Sequence, residues 1–203
     1  MKRLLQCVFA VLLLTVQQTW AQDATVIDGI SYVLNSEDKT AKVVKPDGAS
    51  FYGGDIVIPD YVKYDNTDYA VTAIGESAFI EADLTSLQLP KETLKTIDAA
   101  AFRDVSGLAT IDIPETVTTI GNGAFQCYGL TYLHIPASVT DMGNSAIGGC
   151  PELETITVAE GQHALRCIRR CANGQGPDAP HRLSCPVGGQ EIHRASYRDD
   201  HRL

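Results

Sequence analysis

The sequence predicts an α/β repeat fold: a short right-handed solenoid whose rungs of about 23 residues each carry one short strand and one short helical turn. Three observations predict it. Matching apolar positions recur at Ile74, Ile97, Ile120 and Met142, and again at Phe79, Phe102, Phe125 and Ile147, in steps of 23, 23 and 22 residues. A period in the low twenties carried by leucine-type residues indicates stacked repeats. Each unit also has two halves of different character. The first reads Leu-x-x-Ile-x-Ile-Pro, with the alternation of a half-buried strand and a proline that cannot donate to the ladder. The second reads Val-x-x-Ile-Gly-x-x-Ala-Phe, which puts Ile120, Ala124 and Phe125 at helical spacing and predicts one or two turns of helix or 3₁₀. Finally, a pair of β-type runs stands ahead of the first rung, where a stack needs its first apolar layer covered.

In order, residues 1–21 have Lys2 and Arg3, an apolar core from Val8 to Val16, and Thr19-Trp20-Ala21 before Gln22. This is the layout of a secretory signal peptide, and its apolar run is too short to span a bilayer comfortably, so a permanent transmembrane anchor is the minor reading. Cys7 precedes the apolar core, the wrong place for a lipoprotein cysteine. Residues 22–54 read as an N-terminal β-hairpin cap: Ile27–Leu34 and Ala41–Val44 are strands, and the stretch rich in Gly and Pro after Lys45 is a connection. Residues 55–160 are the solenoid. An insertion over 60–69, with three tyrosines among three aspartates and an asparagine, is either a contact loop or a second strand pair extending the cap; the strand pair is the expectation.

From Gln22 to Glu160 there are 21 Asp and Glu against 7 Lys and Arg. Such a surface repels nucleic acid and anionic membranes and favours solubility outside the cell. No Gly-x-Ser-x-Gly, His-Glu-x-x-His or phosphate loop occurs, and His134 is the single histidine in that span, so the sequence offers no catalytic, cofactor-binding or metal-binding constellation.

The rungs 84–102, 108–125 and 130–147 resemble the leucine-rich repeats of the BspA-type bacterial surface protein family, whose unit runs IxIPxxVTxIGxxAFxxC. Ile111 to Phe125 matches it almost residue for residue; Met142 replaces Ile, Ile147 replaces Phe, and Asp98 stands where Gly is usual. The resemblance covers about residues 22–160 and implies a secreted or cell-surface leucine-rich repeat protein, non-enzymatic, adhering to a protein ligand on host matrix, a host cell or another bacterium.

Outward strand positions are the candidate binding residues, in two columns: Ser86, Thr110, Tyr132 and Thr155, and Gln88, Asp112, His134 and Thr157. Tyr132 and His134 lead, because aromatic side chains most often anchor interfaces. Cys127 and Cys150 each sit three residues before a repeat leucine, on adjacent rungs. Rungs about 5 Å apart permit a disulfide; the alternative is two buried thiols, which is how the family that the rungs resemble uses cysteine here.

The composition changes at Gly161. Residues 161–203 have 7 Arg, no Lys, 4 Asp and Glu, four of the five histidines and three of the six cysteines, with no repeat. Their His and Cys spacing matches no common zinc pattern. Back-translation of Ile192 to Arg202, read one nucleotide later, permits Phe-Ile-Val-Pro-Ala-Thr-Val-Thr-Thr-Ile, the repeat motif again. The expectation is a frameshifted, disordered tail that leaves the last strand, Leu153–Val158, uncapped and prone to non-specific self-association. Two further classes of function therefore stand beside adhesion: a truncated inactive fragment, and a glycan-binding module for which only the 60–69 insertion has the aromatics.

Overall fold

The computed structural model describes residues 23–48 and 51–159 and the backbone of Ile192–His193. The signal-peptide reading of residues 1–21, and the expected disorder of the tail apart from that pair, lie outside the described residues.

The chain opens with β1 (Thr25–Ile27), β2 (Ile30–Asn35) and β3 (Thr40–Val43), an antiparallel meander. The expected two-stranded hairpin is thus three-stranded. Asp28 and Gly29, at φ +49° and +83°, make a tight two-residue turn inside what looked like one run. After β4 (Gly53–Val57) comes the 60–69 insertion, which forms the strand pair β5 (Tyr61–Tyr64) and β6 (Thr67–Ile74) around Asp65–Asn66, both at positive φ.

The rungs follow as strand pairs: β7 (Asp83–Gln88) with β8 (Thr96–Ile97), β9 (Thr110–Ile111) with β10 (Thr119–Ile120), β11 (Tyr132–Ile135) with β12 (Asp141–Met142), then β13 (Thr155–Val158). Corresponding strands pair in parallel and form two ladders. One runs β3-β6-β8-β10-β12; the other is split into β4-β7 and β9-β11-β13.

The expected helical turn is corrected. Among the described residues there is no helix, and the Val-x-x-Ile half instead carries a two-residue strand followed by a turn. The cause is one left-handed residue per rung just before Ala-Phe or its equivalent: Ser77, Ala100, Gly123 and Ser145 lie at φ +54°, +54°, +58° and +52°. A left-handed residue interrupts a right-handed helix. The turn N–H groups bond forward to the next rung instead, as in Phe79 N–H to Ala101 O at 2.8 Å and Phe102 N–H to Ala124 O at 2.8 Å.

Between the ladders lies one continuous apolar layer per rung. Leu108, Ile111 and Ile113 are buried in one rung and Leu130, Leu133 and Ile135 in the next. Each such side chain removed from water is worth about 1.5–3 kcal/mol. Through the middle runs an aromatic stack: Tyr52 lies 4.8 Å from Phe79, Phe79 5.3 Å from Phe102, and Phe102 5.6 Å from Phe125. Tyr52 also ties the meander to the rungs, its hydroxyl donating to Val44 O at 2.8 Å and accepting from Ser31 N–H at 2.9 Å.

One sequence departure acquires a reason. Lys42 reaches over Gly75, where a Cβ would collide with Val43 O at 2.6 Å, and pairs with Asp98 at 3.2 Å. Asp98 replaces the motif glycine at the place that receives this lysine. At the far end, the uncapped last strand is corrected over two residues: β14 (Ile192–His193) pairs antiparallel with Thr155 and Ile156 of β13. A strand edge with free N–H and C=O groups recruits whatever chain can reach it.

Candidate interaction face

The β9-β11-β13 ladder sets the face. Its register aligns Thr110 with Tyr132 and Tyr132 with Thr155, and aligns His134 with Thr157. Alternation sends the intervening Leu133 and Ile135 inward, where both are fully buried, and leaves Tyr132 38% exposed. Asp112 is exposed and follows β9, in the rung position that precedes His134.

Ser86 and Gln88 do not join this group. They are exposed on β7, whose register partners are Asp55 and Val57 of β4, and the Ser86 hydroxyl donates to Asp55 Oδ1 at 2.7 Å. β7 does not pair with β9; the rungs meet instead ahead of β9, at the isolated bridge Asp83–Ser106, where Leu84 N–H donates to Ser106 O at 3.1 Å and Ser106 N–H to Ala82 O at 2.9 Å. Leu84 to Leu108 spans 24 residues, and the extra length is absorbed around Gly107, at φ +80°. The two expected columns are therefore each interrupted.

The centre of the downstream group is Thr157. Its hydroxyl lies 2.8 Å from the Tyr132 hydroxyl and 2.8 Å from His134 Nδ1. A hydroxyl carries one proton, so Thr157 gives to one neighbour and takes from the other. Three side chains from two strands are thereby held in one arrangement. For nucleophilic chemistry a histidine needs its second ring nitrogen oriented by a third group. Among the described residues none bonds that nitrogen.

Cys127 and Cys150 are both free thiols. Cys127 donates to Phe102 O at 3.2 Å and Cys150 to Phe125 O at 2.6 Å, each saturating a carbonyl of the rung before. Burial pushes both thiols above their ordinary range, which suppresses the reactive thiolate. Among the described residues no group of three or more His, Cys, Asp or Glu is placed to hold a metal ion, and no helix is long and apolar enough to cross a membrane.

Sequence reasoning missed Tyr128 and Val57, which are 54% and 59% exposed. The phenol of Tyr128 is pushed up by the Asp104 carboxylate it bonds. Its place directly after the buried Cys127 was the available signal. In the 60–69 insertion, Tyr61 and Tyr64 are exposed but three apart on one strand, so they project to opposite faces, and Tyr69 is buried. No paired aromatic platform results.

The model of the BspA type leucine rich repeat region matches six copies over residues 62–169, more than half of the chain and beyond the boundary that composition places at Gly161. Among solved structures, a leucine-rich repeat protein from Bacteroides capillosus is 27% identical with a TM-score of 0.57, over 67% of this chain and 98% of that one. A leucine-rich repeat protein from Bacteroides ovatus is 25% identical with a TM-score of 0.44, over 66% of this chain and 40% of that one. The T. pallidum leucine-rich repeat protein is 21% identical with a TM-score of 0.48, over 65% and 70% of the two chains. The first supports the leucine-rich repeat fold. No curated protein matches the chain.

Proposed function

The chain belongs to the BspA-type leucine-rich repeat family, and from that premise we propose that it is an exported, non-enzymatic adhesion protein. Its ligand is a protein on host matrix, a host cell or another bacterium, bound on the β9-β11-β13 face. The observation that carries this reading is the exposed Tyr132 ring fixed through Thr157 to His134. An aromatic side chain already immobilised loses little entropy on docking, which suits it to anchor an interface. Thr110, Asp112 and Thr155 surround the anchor; Ser86 and Gln88 form a separate, upstream contact strip.

The test is surface plasmon resonance of the purified chain against a panel of matrix proteins, with Tyr132→Ala and His134→Ala. Loss of about tenfold or more in affinity is expected for Tyr132→Ala. Unchanged binding by a variant that still melts cooperatively would sink the reading, and a glycan array run in parallel would reveal the carbohydrate alternative. Export is tested by N-terminal sequencing of the secreted product, which should begin at Gln22.

One observation favours a second reading, an inactive truncated fragment: residues 192–202 have permitted codons that spell the repeat motif when read one nucleotide later. Sequencing the gene past Gly161 decides it, since stop codons throughout that frame would remove the idea.

A further inference from the structure

We infer that the downstream strand face docks an extended, lysine- or arginine-bearing segment of its partner; this rests on the protein-interaction reading above and adds the partner's chemistry. Charge is distributed unevenly along the stack. From Asp104 to Ala159 there is no Lys or Arg, while Asp104, Asp112, Glu115, Asp141, Glu152 and Glu154 supply carboxylates. All seven cations of the acidic body lie at or before Arg103. Four of these have partners within the chain: Lys42 pairs with Asp98, Arg103 with Asp104, Lys39 lies over the Tyr69 ring, and Lys45 over Phe51.

Among the described residues, an acidic segment approaching Tyr132 therefore meets no lysine or arginine on its own or the flanking rungs, and is repelled by the field of the acidic surface. A guanidinium or ammonium group meets the opposite. The Tyr132 ring is open to solvent, its hydroxyl end is fixed by Thr157, and Asp112 lies one rung back beside the His134 position. A cation can stack on the ring and pair with the carboxylate in one placement. Thr110 and Thr155 flank Tyr132 in register, so a chain crossing the ladder finds a hydroxyl on either side of the ring at steps of about 4.8 Å.

The experiment is fluorescence anisotropy with the full chain, using a labelled peptide alternating serine and arginine, a matching serine–glutamate peptide, and low and physiological salt. The arginine peptide should bind at least about tenfold tighter than the glutamate peptide. Tyr132→Ala should weaken it about tenfold. Asp112→Asn should weaken it about threefold and flatten its salt dependence. Tyr132→Phe, which keeps the ring but loses its bond to Thr157, should weaken binding by less than Tyr132→Ala does, and Tyr64→Ala on the distant hairpin should change nothing. Equal or tighter binding of the glutamate peptide overturns the inference, as does arginine-peptide binding indifferent to both Tyr132→Ala and Asp112→Asn. If Tyr132→Ala does not fold, Tyr132→Phe and Asp112→Asn carry the test. The two readings fail separately. A matrix protein whose binding needs Tyr132, but with which the arginine peptide neither binds nor competes, removes the basic partner and leaves the interaction face. Tyr132-dependent arginine-peptide binding with no matrix ligand supports the basic partner and removes the matrix reading.

Discussion

Replacing Phe102 by leucine separates the contribution of ring stacking from that of burial. Phe102 is fully buried and lies between two rings at 5.3 and 5.6 Å, with interplanar angles of 12° and 10°. Leucine keeps most of the apolar volume but removes both ring pairs, each worth about 0.5–1.5 kcal/mol beyond burial. The expected cost is therefore about 1–3 kcal/mol, a sizeable part of a total stability of about 5–15 kcal/mol. Phe125 is also fully buried but stacks on Phe102 alone among the described residues, with Ile147 at its place in the following rung. Phe125→Leu should cost about half as much as Phe102→Leu. Urea denaturation followed by far-UV circular dichroism measures both, provided the slopes match. Equal losses, or a larger loss at Phe125, would refute the argument that the stack adds stability ring by ring.

Two other outcomes follow from packing and burial. Gly143→Ala should cost about 1–3 kcal/mol, because the new Cβ would fall on the Asn122 backbone N of the preceding rung, which cannot give way as a side-chain end can; thermal melting beside wild type checks it. Cys127 contributes a pH dependence: its thiol is raised above the ordinary 9.0, by burial first and then by neighbouring Cys150 and Asp104, so the unfolded state ionises first as pH climbs. Stability is fully present well below the ordinary thiol value and declines as pH rises through it, and Cys127→Val should flatten that decline between about pH 8 and about pH 9.5. Staying below the ordinary 10.0 of Tyr32, whose phenol is also raised by burial, keeps that group from adding to the slope.

The core was legible in the sequence because every rung repeats its inward positions. Leu130, Leu133 and Ile135 differ from Leu108, Ile111 and Ile113 only in aliphatic shape, and all six are buried. For the same reason the neighbours of Tyr132 could be read by counting, and Thr110 and Thr155 are found beside it. The helical turn could not be read correctly. Ser77, Ala100, Gly123 and Ser145 share a left-handed φ but no single residue type, and the first three are held by N–H bonds to Ala99, Asn122 and Asn144 carbonyls of the next rung rather than by local sequence. The Asp28–Gly29 turn carried a readable signal that the apolar run around it obscured. The bond from Thr157 to both Tyr132 and His134 joins different strands and depends on side-chain direction, which spacing alone does not give.

The forward-bonding turns also determine how a protein of this kind can change its length. Because Phe79 N–H meets Ala101 O as Phe102 N–H meets Ala124 O, one whole interior rung can be excised or duplicated and the remaining junctions close on equivalent atoms. Removal of a few residues inside a rung shifts every bond and every ring of that layer instead. Length is thus quantised, and each added rung extends the exposed face by about 4.8 Å, so that its reach can be adjusted to a longer or shorter ligand without redesign of the layers beneath.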